Sequence, residues 1–404
     1  MEKLRYQPIE GQNPAYLGWL GLLAVFIMAG LGAAWNMEHQ GHWITGMTNQ
    51  VVWGTPHVFA IFLIVAASGA LNVASIGSVF GKNLYKPLAP LSALMAIALL
   101  IGGLTILVLD LGRPDRLLVA MTSYNFKSIF AWNIFLYNGF LILAAVYIWT
   151  MMDHPMQRHK NKVGLIAFIW RLMLTTGTGS IFGFVVARQG YDAAIMAPMF
   201  IVMSFSFGLA LFLLVLMAAY RFSSRPLGEH LLHRLKHLLG IFIAAVLLFV
   251  TIKHLTNLYA AEHHGFERFI LMDGGVYTQI FWWVQILLGS LLPLLLIYHP
   301  LWERSTTAIA TAAALVVLGG LAQLYVIIIG GQVYPLPIFP GKEVIESSFY
   351  DGVVAEYAPS LPETTLGIGG VAIALLIITL GIRLLKFLPT SLEDAVVDPH
   401  HRQG

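Results

Sequence analysis

Cysteine is absent from the 404-residue sequence, and charged residues are scarce. Without cysteine the chain cannot form disulfide bonds, cysteine zinc sites or iron–sulfur clusters ligated by its own thiolates. Charged residues make up 11% of the sequence, whereas soluble proteins contain about 25%. The net charge of +3 is too small to indicate a nucleic-acid-binding protein. Hydrophobic residues make up 58%, so the composition predicts an integral membrane protein.

Ten apolar runs are long enough to cross a bilayer, which takes about 20 residues in a helix. We therefore predict an all-α, polytopic membrane protein with ten transmembrane helices. The predicted spans are residues 15–36, 51–79, 88–110, 129–152, 164–187, 195–222, 237–259, 276–299, 305–330 and 366–387. An even number of spans places both chain ends on the same side of the membrane.

Lysine and arginine are distributed unevenly between the predicted loops. Most of the 23 lie in the N-terminal segment, in the loops after the even-numbered spans and at the C-terminal end. Because loops rich in lysine and arginine stay in the cytoplasm, we predict that segments 1–14 and 388–404 are cytoplasmic, in a multi-pass protein of the cytoplasmic (inner) membrane. The polar tail from Pro389 is expected to be disordered. Most acidic residues fall on the opposite, outer side.

Residues 109–127 place a cluster of charges where the third predicted span leaves the membrane. The cluster contains Asp110, Arg113, Asp115 and Arg116. Charges at this depth are costly unless they face protein, water or a ligand. From spacing alone, ion pairing at the level of the lipid headgroups and participation in a functional site explain the cluster equally well.

Polar side chains on six predicted helices fall in the outer half of the membrane. They are His57, Asp110, Asn133, Arg188, Lys253, His254 and Gln279. An ionisable residue inside a span is a functional-site candidate, although a lone histidine can simply link helices and Lys253 can extend to the headgroups. A histidine, a carboxylate and an arginine at one depth can donate to quinone carbonyls and exchange quinol protons. The set therefore suggests quinone chemistry on the outer side.

Weaker signals suggest other sites. Glu38, His39 and His42 have the residue types of a metal site, but in a watery loop they are better explained as solvated, so no metal site is predicted. His57 and His254 are the one pair that could ligate a haem from two sides. Polar residues in the inner half and middle of the membrane indicate either a thin proton route or bridges between helices; they are Asn72, Asn138, Arg171, Gln285 and Gln323.

The predicted outer loop 331–365 is longer than most connections and is therefore expected to be functional or disordered. It contains several aromatic residues, which disordered segments generally lack. We predict that this loop docks a partner on the outer side.

Three segments resemble the NrfD/PsrC family, the membrane subunits of polysulfide reductase-type complexes. They are HVFAIFLIVAASGALNV at 57–73, DLGRPDR at 110–116 and GSIFGFVVARQGYDAAIMAPMFIVMSFSFGLAL at 179–211. The resemblance covers nearly the whole chain and is specific mainly in these segments. With ten spans and a long loop between the ninth and tenth, the chain is most similar to the HybB/DsrP-like branch of the family.

The resemblance implies an architecture of two four-helix bundles, residues 51–187 and 195–330, flanked by the helices at 15–36 and 366–387. It also implies a subunit of a respiratory oxidoreductase complex in dissimilatory sulfur metabolism rather than a stand-alone enzyme. The substrate would be a quinone (menaquinone or ubiquinone), and this chain would hold no haem or iron–sulfur cluster. The implied partners are a periplasmic iron–sulfur (ferredoxin-like) subunit on loop 331–365 and further membrane and cytochrome subunits.

The resemblance also assigns roles to individual residues. His57 and Asp110 would exchange protons as catalytic residues. It implies that His57, Asp110, Arg113 and Arg188 are quinone-binding residues, and we predict Thr178, Ser180 and His254 as further ones. Two alternatives remain open from the sequence: a secondary transporter or proton-conducting membrane protein, which would place its polar groups near the bilayer midplane, and a haem b-binding cytochrome subunit.

Overall fold

The computed structural model describes residues 5–11, 13–336 and 353–397. Ten helices in these ranges are long and apolar enough to cross a membrane, as the sequence predicts. We number them α1 to α10, and their bounds are Pro14–Gln40, Thr55–Ser78, Asn83–Leu109, Ile129–Met152, Gln157–Gly183, Met196–Phe222, Glu229–Tyr259, Val276–Tyr298, Thr306–Val333 and Leu361–Leu384. The described residues contain isolated β-bridges but no β-strand. The predicted all-α class is confirmed.

Several helix boundaries differ from the predicted spans, and those of α5 and α7 differ most. α7 begins at Glu229 rather than at 237, because its first turns alternate buried residues such as Leu231 and Leu235 with polar ones. That pattern is amphipathic and escapes a hydropathy criterion. α5 ends at Gly183, so Arg188 lies in the following loop and does not close the helix.

The two flanking helices also differ from the predicted spans 15–36 and 366–387. α1 continues to Gln40. α10 begins at Leu361 because Ser360 and Glu363 form a reciprocal capping box that satisfies the first free backbone amides. The long connection before α10 therefore shortens to 334–360, and residues 337–352 of the predicted docking loop lie outside the described residues.

α2 is the most buried helix and the centre of the packing. It contacts α3, α5, α6, α9 and α10, and 83% of its most apolar 18-residue stretch is buried. Gly69 of α2 meets Gly208 of α6, and a Cβ atom at Gly69 would lie 1.6 Å from the carbonyl oxygen of Ser204. Small residues at such a crossing let helix backbones approach closely, so this contact fixes α2 against α6.

Both chain ends lie at one face, which we call the proximal face; the opposite one is the distal face. The amide of Gln7 donates to the carbonyl of Leu388 at 3.0 Å, and the amide of Thr390 donates to Arg5 at 2.8 Å. The even number of spans is thus confirmed. The expected disorder of the tail from Pro389 is wrong for its first part, because Thr390 makes the hydrogen bond to Arg5 and Leu392 is buried; residues 398–404 lie outside the described residues.

Candidate functional site

Asp110 lies between two histidines at the distal face. His57 Nδ1 is 2.9 Å from Asp110 Oδ2, and His42 Nε2 is 3.9 Å from Oδ1. The carboxylate side chain is 1% exposed and that of His57 is 23% exposed. At this distance the two side chains form an ion pair whenever His57 is protonated, and neither carboxylate oxygen has a well-aligned hydrogen bond among the described residues. We call His42, His57 and Asp110 the Asp110 cluster.

Local structure explains how the cluster forms. His57 lies in the first turn of α2, after Gly54 and Pro56 start the helix. Asp110 caps the C-terminus of α3, and its amide donates to Ile106. α2 and α3 are antiparallel neighbours, so these two ends meet at the same height. His42 was interpreted from the sequence as a solvated loop residue; the turn that follows α1 instead carries it to Asp110.

Arg113 does not join the Asp110 cluster. It forms a bidentate pair with Asp115 at 3.1 Å, and both side chains are more than half exposed. This hydrogen bond raises the pKa of Arg113 and lowers that of Asp115 below its ordinary value. Gly112 has a φ of +68°, a left-handed conformation suited to glycine, and the turn there separates Arg113 from Asp110.

Thr178 and Ser180 lie in the buried distal half of α5. The Thr178 hydroxyl donates to the Leu174 carbonyl at 2.9 Å and lies 3.2 Å from the hydroxyl of Tyr137 on α4. Asn133 of α4 donates to the Gly177 carbonyl at 3.0 Å. Thr178 therefore shares a polar network with an aromatic hydroxyl that sequence reasoning did not single out. Ser180 is 4% exposed.

Trp53 packs beside His57 at the centre of an aromatic cluster. Its ring stacks on that of His57, with 6.2 Å between centroids and an interplanar angle of 28°. It stacks on Tyr191 at 6.2 Å and 23°, and it contacts Phe130 and Phe182 at 5.9 Å each. Phe182 and Tyr191 are buried and Phe130 is 45% exposed, so Trp53 and Phe130 supply the aromatic surface beside the polar pair that a planar ligand would meet.

Arg188 fixes the segment that carries Trp53. Its guanidinium donates at 2.7 Å to the carbonyls of Gln332 and Gln50. Burial lowers the pKa of Arg188. The side chain of Gln332 accepts from the amides of Val52 and Trp53 and donates back to the Trp53 carbonyl. Arg188 is therefore near the site, but the contacts it makes are with backbone, and sequence reasoning missed Gln332 altogether.

A second set of bonds holds the same segment from the side of α10. The Tyr357 hydroxyl donates to Glu363 Oε1 at 2.7 Å and accepts from the Thr55 amide at 2.7 Å. Glu363 Oε2 accepts from the amides of Gly46 and Ser360, and the Glu363 residue is fully buried. We call Thr55, Tyr357 and Glu363 the Tyr357 clamp. Burial raises the pKa of Tyr357, so its hydroxyl stays protonated.

His254 has a carboxylate partner of its own. Its Nδ1 is 2.6 Å from Oε2 of Glu267, which lies in the one-turn helix His264–Arg268 after α7. The neighbouring Lys253 is 5% exposed and lines a cavity with His254. The prediction that Lys253 extends to the headgroups is therefore wrong. His57 and His254, the pair considered as haem ligands, each contact a different acid.

The described residues contain no group of three histidine or carboxylate side chains that could hold a metal ion. His39 is exposed, and its ring nitrogen lies 2.9 Å from the Trp35 carbonyl. Of the predicted site residues, His57 and Asp110 meet directly, and Arg188 and Thr178 lie in neighbouring networks. Arg113 and His254 make their polar contacts elsewhere.

Comparison with known proteins gives consistent matches. The family model "Polysulphide reductase, NrfD" matches residues 43–336. The chain is 27% identical over 397 residues to the Hdr-like menaquinol oxidoreductase integral membrane subunit of Archaeoglobus fulgidus, covering 98% of this chain and 99% of that protein. It is 28% identical over 403 residues to a dimethyl sulfoxide reductase membrane subunit of Halobacterium salinarum, covering 91% of each. It is 21% identical to the menaquinone reductase integral membrane subunit of Nitratidesulfovibrio vulgaris, covering 94% of this chain and 93% of that protein.

Proposed function

The chain belongs to the NrfD family of polysulphide reductase membrane subunits, and from this premise we propose that it is the quinone-interacting membrane subunit of an oxidoreductase complex. Two of the relatives are named for menaquinol or menaquinone chemistry. The observation that carries the proposal is the His57–Asp110 pair, which is buried at a helix end beside the Trp53 ring.

The pair has the chemistry that quinone turnover needs. Reduction of a quinone takes two electrons and two protons and yields a quinol; oxidation reverses both. Nδ1 of His57 lies 2.9 Å from Asp110, and we propose that its Nε2 faces the ligand. A neutral imidazole there accepts a proton from a quinol hydroxyl, and an imidazolium donates one to a quinone carbonyl. Asp110 stabilises the imidazolium in both directions.

The electrons must come from or go to a partner, because a quinone exchanges them with a redox centre held elsewhere in the complex. We propose a periplasmic iron–sulfur subunit docked at the distal face, with the proximal face on the cytoplasmic side of the inner membrane. The proposal places the chain in sulfur metabolism, in the DsrP-like branch, with further membrane and cytochrome subunits. We also propose that residues 51–187 and 195–330 form the two four-helix bundles, and the family match spans α2 to α9.

Quinone-analogue titration tests the site. We would purify the chain with its native partners and follow saturable quenching of tryptophan fluorescence by a quinol analogue. His57→Ala and Asp110→Asn should each weaken binding tenfold or more, which corresponds to about 1.4 kcal/mol. His39→Ala is the matched control and should leave binding unchanged, because this exposed histidine contacts the carbonyl of Trp35 and not the Asp110 cluster. A folded native complex without saturable binding would overturn the proposal and favour a transporter.

The natural lack of cysteine allows a clean test of orientation. Tyr259→Cys places a thiol at the distal end of α7, where Tyr259 is 92% exposed, and Phe222→Cys places one at the proximal end of α6, where Phe222 is 80% exposed. A membrane-impermeant maleimide added to intact cells should label the first variant and spare the second. The reverse pattern would contradict cytoplasmic chain ends.

A further inference from the structure

A cavity separate from the Asp110 cluster lies between α7, α8 and α9. The volume open to the centre of a water molecule is about 10 Å³, which is room for about one water molecule. Met199, Val250 and Phe281 are among its apolar lining, and Lys253 and His254 are among its polar lining. A mixed lining with a few convergent polar groups is typical of a binding site.

Two buried amide groups face this cavity without a protein partner. Gln285 is 5% exposed and Gln323 is 3% exposed, and both line the cavity. Oε1 of Gln285 and Nε2 of Gln323 have no hydrogen-bond partner among the described residues. A buried polar atom left unpaired costs about 1–3 kcal/mol. One acceptor and one donor on different helices therefore indicate a ligand that both donates and accepts.

Backbone irregularity coincides with the same cavity. The described residues contain three π-helical segments, and each of them contributes to its wall. Phe269–Asp273 supplies Ile270, Ile280–Leu291 supplies Phe281 and Gln285, and Val326–Gly330 supplies Val326 and Ile327. Such segments cost hydrogen-bond quality and occur mostly at functional sites. Their convergence on one cavity is a second, independent indication of a site.

The ionisable groups at the cavity balance one another. Glu267 is fully buried; its Oε2 contacts His254 and its Oε1 accepts from Asn257 at 2.8 Å. Glu267 also interacts electrostatically with Lys253. α7 supplies both ionisable residues of the lining, Lys253 and His254, while α6, α8 and α9 supply uncharged ones, and Glu267 contacts His254 from outside the lining. Because the charges of Lys253 and Glu267 offset each other beside His254, the cavity suits a neutral ligand. The His254–Glu267 pair can then hold one exchangeable proton.

We propose that this cavity binds internal water and serves as a second proton-exchange site. A water molecule donates to Gln285 Oε1 and accepts from Gln323 Nε2 and Lys253, since internal water needs two to four polar partners. The proton moves between that water and the His254–Glu267 pair, and it enters and leaves through the mouth of the cavity. Neither step depends on quinone, so this inference goes beyond the proposed function.

Infrared difference spectroscopy of the purified complex tests both parts. A step from about pH 8 to about pH 5, which spans histidine titration, should produce a deuterium-sensitive band from His254–Glu267 that is lost in Glu267→Gln. Asp273→Asn is the matched control, because exposed Asp273 pairs with Arg268. The native protein should also show a water O–H band that shifts in oxygen-18 water and is lost in Gln285→Leu.

Each result decides the matter. A band unchanged in Glu267→Gln would overturn the proton-exchange site, and a native spectrum without an oxygen-18-sensitive band would overturn the water, even if the variants fold poorly. Quinone-analogue affinity should stay within about threefold of the native value in Glu267→Gln, because the Asp110 cluster is untouched. A failure of the proposed function would instead abolish analogue binding in the native protein and leave these infrared bands in place.

Discussion

Removing the hydroxyl of Tyr357 should loosen the segment that carries Trp53 and His57. In Tyr357→Phe the Thr55 amide loses its acceptor and Glu363 Oε1 loses its donor, both at 2.7 Å in the native protein. Glu363 is fully buried, so water cannot readily replace the lost donor. Each buried group left unpaired costs about 1–3 kcal/mol, and rotation of the Thr55 hydroxyl toward Glu363 recovers part of this. We expect a net loss of about 3 kcal/mol in the local stability of residues 46–55.

Hydrogen exchange followed by mass spectrometry measures that loss directly. Exchange of the Thr55 amide by local opening should be about 100-fold faster, since every 1.4 kcal/mol is a factor of ten. Binding of the quinol analogue should weaken although Tyr357 does not line the approach to His57. Tyr334→Phe is the matched control, because the ring of Tyr334 packs on Phe266 and Phe269. Unchanged exchange at Thr55 in Tyr357→Phe would refute the clamp.

Three further predictions concern other contacts. Gly69→Ala should abolish correct assembly, because its Cβ would lie 1.6 Å from the Ser204 carbonyl oxygen; Gly18→Ala, which has nothing within 4 Å, should leave the elution profile and thermal midpoint unchanged. Arg188→Lys cannot keep both 2.7 Å bonds and should cost about 1–2 kcal/mol, seen as faster exchange at residues 50–53. Arg113→Ala should raise the pKa of Asp115 in a titration followed by NMR, because the Arg113 hydrogen bond holds that pKa below its ordinary value. In the native protein the pair is fully formed above the ordinary pKa of a carboxylate and is lost as the pH falls through the lowered pKa. Because the pair is exposed, the affinity for the quinol analogue should change less than about threefold.

Hydropathy predicts the ten helices because each needs about 20 apolar residues to cross the hydrocarbon layer, whether it faces lipid or protein. It fails at α7, whose first turns bury Leu231 and Leu235 against protein while exposing charged residues. It also fails at Arg188, since a run of apolar residues does not show that the helix ends at Gly183. The π-helical segments escaped prediction because an extra residue in one turn barely changes apolar periodicity.

The pairing of His57 with Asp110 could be anticipated from depth, since both fall at the outer end of consecutive antiparallel spans. The place of His42 could not, because a histidine in a polar loop has no periodic signal. Gln332 and Tyr357 act across 279 and 302 positions of sequence, a separation at which one sequence gives no pairing information. The sequence therefore predicts how deep a residue lies in the membrane, but it does not predict which neighbouring helix or loop its side chain faces.

The pairing of α1 with α10 has a consequence for biosynthesis. α1 packs chiefly on α10, where Gly30 meets Gly369. Only 17% of the most apolar 18-residue stretch of α1 is buried. Among the ten helices α1 is made first and its partner α10 is made last. Until then α1 has little to hold it except lipid, and Glu363, at the start of α10, has not reached Gly46 or Tyr357. The Tyr357 clamp is thus completed by the last of the ten helices, so a chain stalled before residue 361 would contain His57 and Asp110 without the bonds that hold the segment before His57.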